Sequence, residues 1–90
     1  MRGAGKPDSA SSADETAILD YDLKGLKCPL PVLRSRKKLE TLAAGTLLRI
    51  ETTDPLAVID IPHFCREDGH ALEATEDVGG GHRFLIRKKT

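Results

Sequence analysis

The run Gly25-Leu26-Lys27-Cys28-Pro29-Leu30-Pro31 places a thiol directly before two prolines, where an extended pattern gives way to a helical one. Proline is accommodated in the first turn of a helix, because the N–H it lacks has no intrahelical partner there. The spacing therefore predicts strand, glycine turn, Cys28, helix, with Gly25 exposing the loop and Pro29 and Pro31 fixing the helix start. A thiol at a helix N-terminus faces unpaired N–H groups and the positive end of the macrodipole, and both favour the thiolate. Lys27 pushes the same way. A thiolate is the nucleophile that can take up sulfur and pass it on. The competing reading is a buried structural cysteine that happens to precede a helix, since Cys is among the most buried residue types.

The other reactive residue types read differently. Cys65 lies beside Phe64 on an apolar helical stripe and reads as a core cysteine, with a resolving thiol as the minor alternative. The chain has two cysteines and no Cys-x-x-Cys pair, so a dithiol redox motif is disfavoured. His63, His70 and His82 show no zinc-type spacing with the cysteines, and no metal site is expected. Asp54 and Asp60 are both accounted for as helix caps. The minor alternative for Asp54 is that it also supports the Cys28 loop, because both follow the ends of parallel strands, where α/β sheets gather functional groups. The run Arg34, Arg36, Lys37 and Lys38 is either a solvated helix face or a patch that steers an acidic partner towards the thiol. Leu30, between the prolines, and Leu33, outside the core stripe, are assigned with Arg34, Arg36 and Lys37 to holding that partner.

These residues need elements to position them. Ala17, Leu19, Tyr21 and Leu23 alternate with polar residues, a half-buried strand. Pro31 to Ala44 reads as a helix whose core face is Val32, Ser35, Leu39, Leu42 and Ala43, ended by Gly45. Thr46 to Thr52 is a second strand. Asp54 as N-cap and Pro55 at the first helical position open a second helix carrying Ala57, Val58, Ile61, Phe64 and Cys65 on one stripe. Pro62 is expected to split that helix, with a new start capped by Asp60. His70 to Val78 and His82 to Lys88 read as a hairpin turning across three glycines that supply positive φ. The order β-α-β-α-β-β gives an α/β (α+β) two-layer sandwich, a four-stranded mixed sheet with both helices on one face.

Composition bounds the rest. Residues 1–16 carry no large apolar residue after Met1 and read as a disordered tail, leaving 17–90 as one small domain. No apolar run is long enough for a signal peptide or a membrane span, and a cytoplasmic protein is expected. Lysine plus arginine equals aspartate plus glutamate at 14 each, and Tyr21, Phe64 and Phe84 are the only aromatics. Neither net charge nor a stacking platform therefore points to direct nucleic-acid binding.

The motif and element order together resemble the TusA/SirA-like sulfur carriers, whose hallmark is a Cys-Pro-x-Pro segment opening the first helix. The likeness runs from Leu19 through Cys28-Pro29-Leu30-Pro31, Arg36-Lys37, Gly45, Asp54-Pro55, Asp60-Ile61-Pro62, Phe64-Cys65 and Gly69-His70 to Phe84-Leu85-Ile86-Arg87-Lys88. The resemblance implies that Cys28 carries sulfane sulfur as a persulfide, with no bound cofactor. It also implies a donor such as a pyridoxal-phosphate cysteine desulfurase or a rhodanese-type protein, and an acceptor thiol such as that of a DsrE-type protein. Thiolated tRNA, molybdenum cofactor and sulfur oxidation are the destinations it suggests, so nucleic acid enters only indirectly. Leu30 stands where the tRNA-relay members typically carry an acidic residue, and the branch stays open. The other class of function is a regulatory or interaction module on the same scaffold without sulfur transfer.

Overall fold

The computed structural model describes residues 18–89. The expected tail over 1–16, and Ala17, lie outside the described residues. The elements are β1 (Ile18–Asp22), α1 (Leu30–Glu40), β2 (Leu47–Thr52), α2 (Ala57–Asp68), β3 (Ala71–Val78) and β4 (Gly81–Arg87). The order is β-α-β-α-β-β, as the sequence predicts. The sheet runs β1-β2-β4-β3, with β1 parallel to β2 and β4 antiparallel to both of its neighbours. Because β4 inserts between β2 and β3, the strands flanking α2 do not pair with each other.

Strand alternation sorts the two faces of the sheet. Leu48 and Ile50 of β2, with Phe84 and Ile86 of β4, turn inward to meet Leu39 of α1 and Ile61, Phe64 and Cys65 of α2. The opposite face carries ion pairs instead: Arg49 with Asp20, Arg83 with Glu51 and Glu76, and Arg87 with Glu73. The result is two layers with both helices on one side. Leu19 keeps the inward parity of β1 but sits on an edge strand and is 38% exposed.

Four details depart from the sequence reading. First, α1 stops at Glu40 and does not reach Ala44. The Thr41 hydroxyl donates to the Lys38 carbonyl and the Leu42 N–H to the Leu39 carbonyl, so a tight turn brings Leu42 against the core and leaves Ala43 exposed. Gly45 is therefore no helix terminator. Its φ of +91° belongs to the turn into β2, where its N–H donates to the Lys88 carbonyl.

Second, α2 is one helix across Pro62, and Asp60 lies inside its first turn without capping a restart. Proline removes the bond to the residue four before it, here Val58, which at 40% exposure leaves its surroundings open to water. Third, Val58 is for the same reason no member of the buried stripe. Fourth, the hairpin uses positive φ only at Gly80 among its three glycines. Gly81 is already the first residue of β4 and packs against the Thr52 backbone, where a Cβ would overlap the carbonyl oxygen.

Candidate functional site

β1 and β2 are parallel, so the loops that follow them, and the starts of α1 and α2, gather at one end of the sheet. The loop after β1 is fastened at three places. The Leu23 N–H donates to the Glu51 carbonyl at 2.9 Å, the Gly25 N–H to Thr53 Oγ1 at 2.9 Å, and the Cys28 N–H to Asp54 Oδ2 at 2.7 Å. Gly25 adopts a φ of +86°, which a side chain would resist. Leu26 tucks towards the core, while Lys27 and Cys28 stay outside.

Asp54 ties the two loops together. Its Oδ2 takes the Cys28 N–H, and its Oδ1 faces the Leu56 N–H at 3.4 Å. The cap expected there thus serves the turn before α2, with Pro55 in that turn and Leu56 as the N-cap residue of the helix itself. Asp60, on the first turn of α2, accepts from the Cys28 thiol, with Sγ to Oδ2 at 3.1 Å. The sequence reading missed that contact: a carboxylate assigned to capping gave no sign of a partner in another loop.

The thiol does not meet the environment expected of it. The Leu30 N–H is already bonded to the Lys27 carbonyl, the Leu33 N–H to the Pro29 carbonyl, and Pro31 has no N–H to offer. Pro29 occupies the N-cap position, after a cis Cys28–Pro29 bond, and makes no side-chain cap. The prolines and local turns that open α1 thus leave its N-terminus few free donors for a thiolate. The hydrogen bond to Asp60, some loss of hydration, and the negative charges of Asp60 and Asp54 together hold the Cys28 thiol above its ordinary value. This corrects the expected lowering.

Apolar side chains surround this end of the molecule. Leu30 and Leu33 on α1, and Leu56, Val58 and Ile59 at the start of α2, are all exposed, Ile59 to 66%. Leu30 and Leu33 are thus on the surface near Cys28. Of the basic run, Arg34 and Lys37 are exposed, and Lys38 lies over the Tyr21 ring, 5.4 Å from its centroid. Arg36 is removed from that free face. Its guanidinium donates to Asp68 at 2.8 and 3.4 Å and covers the Phe64 ring at 5.2 Å, binding α1 to α2.

Cys65 is elsewhere and inert. It is 2% exposed in the core, and burial, with the charge of Asp68 behind it, pushes its thiol up to about 11. Among the described residues no cluster of His, Cys, Asp and Glu is arranged to hold a metal ion, and no helix is long and apolar enough to cross a membrane.

Fold and site together define a class: a small two-layer α/β sandwich presenting one exposed cysteine at the entrance to its first helix. Within it, the family profile described as Sulfurtransferase TusA matches residues 20–88, and the chain belongs to that family. Its relatives include the sulfur carrier protein TusA of Allochromatium vinosum, 39% identical over 77% of this chain and 91% of the relative. The sulfur carrier protein TusA of Pseudomonas putida is 43% identical over 84% of this chain and 95% of its own length. That of Pseudomonas paraeruginosa is 44% identical over 81% and 90%.

Proposed function

We propose that this protein is a sulfur carrier in which Cys28 takes sulfane sulfur from a donor protein as a persulfide and relays it to an acceptor thiol. The observation that carries this reading is the placement of Cys28: exposed, at a loop–helix junction, and held by backbone and side-chain bonds from the neighbouring loop and helix. Membership of the TusA family, and relatives that are named sulfur carriers, support it.

The chemistry balances without an oxidant. The Cys28 sulfur attacks the outer sulfur of a donor persulfide, and a new S–S bond forms as the donor's own S–S bond breaks. The electron pair of that bond leaves on the donor cysteine sulfur, which takes up the proton that Cys28 gave away. An acceptor thiol repeats the step on the Cys28 persulfide. Asp54 holds the loop, Gly25 permits its turn, and Pro29 and Pro31 fix where the helix begins. Leu30, Leu33, Arg34 and Lys37 offer an apolar and basic surface to a partner. A cysteine desulfurase or rhodanese-type donor and a DsrE-type acceptor fit this scheme.

Intact-mass measurement tests it. Incubation with a cysteine desulfurase and cysteine should add one sulfur mass, removable by reductant and mapped to the Cys28 peptide. Cys28→Ser should remain folded and gain nothing. A reactive Cys28 that never gains sulfur from any persulfide donor would point instead to an interaction module.

A further inference from the structure

We propose that Asp54 and Asp60 form a carboxylate pair that selects the sulfur partner: a protein segment seated on the exposed apolar rim of Leu30, Leu33, Leu56 and Ile59 that brings a Lys or Arg against the two carboxylates. The inference rests on the carrier reading and adds the chemistry of the partner surface.

Charge complementarity is the first ground. Asp54 touches the Cys28 N–H and Asp60 touches its Sγ, yet neither carboxylate meets a cation of this chain among the described residues. By contrast Asp20, Asp22, Glu51, Asp68, Glu73 and Glu76 each pair with an Arg or Lys, Glu67 and Asp77 face histidines, and of the remaining carboxylates Glu40 stands at the other end of α1 from Cys28. Lys27, next to Cys28 on the same loop, and Arg34, on the second turn of α1, form no ion pair with either carboxylate. A pair of carboxylates beside an exposed thiol, with no counter-ion among the described residues, is complementary to a positive group from outside.

The second ground is that such a pair penalises the reaction unless it is answered. Negative charge beside the sulfur disfavours the thiolate, and the directions of the effects on Cys28 are all upward. A docked cation removes that penalty at the moment of contact. The free carrier is then a poor nucleophile towards stray electrophiles, and the docked carrier a good one. The apolar rim supplies contact area, and the carboxylates supply the choice.

Thiol–disulfide exchange measures this apart from sulfur transfer. The probes are the 2-thiopyridyl disulfides of the peptides Leu-Lys-Cys-Leu and Leu-Glu-Cys-Leu, both termini blocked. Cys28 attacks the peptide sulfur, the mixed disulfide forms, and thiopyridone leaves and is read by absorbance. With the full-length protein at low salt, the Lys peptide should outpace the Glu peptide by roughly tenfold more than it does on N-acetylcysteine amide. Salt should shrink that preference. Asp60→Asn should reduce it while speeding neutral-pH alkylation by iodoacetamide roughly threefold or more. Because Asp54→Asn also loosens a loop staple, Asp60→Asn is the primary variant, with folding checked by thermal melt. Leu56→Ser with Ile59→Ser should slow both peptides alike. A preference equal to that of the small thiol, or one that survives Asp60→Asn unchanged, overturns the selection, while rates indifferent to the serine pair overturn the apolar seat. Either result leaves the persulfide mass shift, and with it the carrier reading, standing.

Discussion

The Cys28 thiol donates to Asp60 Oδ2 across 3.1 Å, although 32 positions separate the two residues. That bond reverses the usual picture of an activated cysteine. A helix N-terminus lowers a thiol's proton affinity through free N–H groups, and here two prolines and two local turns leave the opening of α1 with few to give. The sulfur instead faces carboxylates. In the free protein Cys28 is therefore an exposed thiol whose value the carboxylates hold above the ordinary one.

The effect is visible in a pH profile. Alkylation of native Cys28 by iodoacetamide should rise by roughly tenfold per pH unit from pH 7 to 8, with no plateau below the ordinary thiol value of 9.0. Cys65 should stay unmodified until the protein unfolds, since it is buried. Quenched samples resolved by peptide mass separate the two sites. A Cys28 rate already flat near pH 7 would show a stabilised thiolate and remove the role given to Asp60.

The basic run should divide into two functions under mutation. Arg36→Ala removes a partly exposed ion pair and a cation–aromatic contact, and should lower stability by about 1 kcal/mol. Arg34→Glu with Lys37→Glu should lose no more than about 1 kcal/mol, because both side chains are exposed and only Lys37, in the last turn of α1, gives up a favourable charge at the helix C-terminus. The same double change should slow sulfur uptake from a cysteine desulfurase by roughly tenfold at low salt. Urea melts and transfer rates across a salt titration check both halves. Equal transfer rates at all ionic strengths would make Arg34 and Lys37 an ordinary solvated face.

The hairpin glycines should likewise prove unequal. Gly81→Ala forces a Cβ into the Thr52 carbonyl and should lose about 2–3 kcal/mol, as overpacking against an immobile group does. Gly80→Ala, at a φ of +81° with open space around it, should lose about 1 kcal/mol. Gly79→Ala meets neither obstacle and should be close to neutral. Chemical denaturation of the three variants gives the ranking, and a silent Gly81→Ala would mean that β2 and β4 yield there.

What the sequence made legible is what local periodicity encodes. The alternation through Tyr21 and Leu23, the apolar run Leu47-Leu48-Arg49-Ile50, and Cys28-Pro29-Leu30-Pro31 yield the element order and the position of the thiol. The end of α1 was hidden because Ala43 and Ala44 are good helix formers, while Gly45 is recruited by a bond to Lys88 far along the chain. Pro62 misled for the opposite reason: the bond it forfeits lies towards solvent, so the helix continues. Asp60 with Cys28 and Arg36 with Asp68 each span 32 residues. Spacing rules reach one or two helical turns, and pairings of that range follow only from the way the two helices are laid on the sheet.

Cys65 offers a stability measurement whose sign is fixed by burial. Its folded-state value of about 11 lies above the ordinary 9.0, so the folded protein holds the proton more tightly than the unfolded chain does. The resulting stability is fully present below pH 9 and is lost as pH rises through 11, because the unfolded thiol ionises first. At 1.36 kcal/mol per unit, the loss over that window is on the order of 2 kcal/mol. Cys65→Ala should be less stable than the parent at pH 7 by about 1–2 kcal/mol, from the small cavity it leaves. It lacks the titration, so the gap between the two proteins should narrow and close as pH approaches 11. Both are best compared in a Cys28→Ser background under reductant, with urea midpoints taken at several pH values, so that Lys and Tyr21 ionisation cancels in the difference. A gap that stays constant from pH 7 to 11 would mean that Cys65 ionises alike in both states, and that water reaches the core beneath α2.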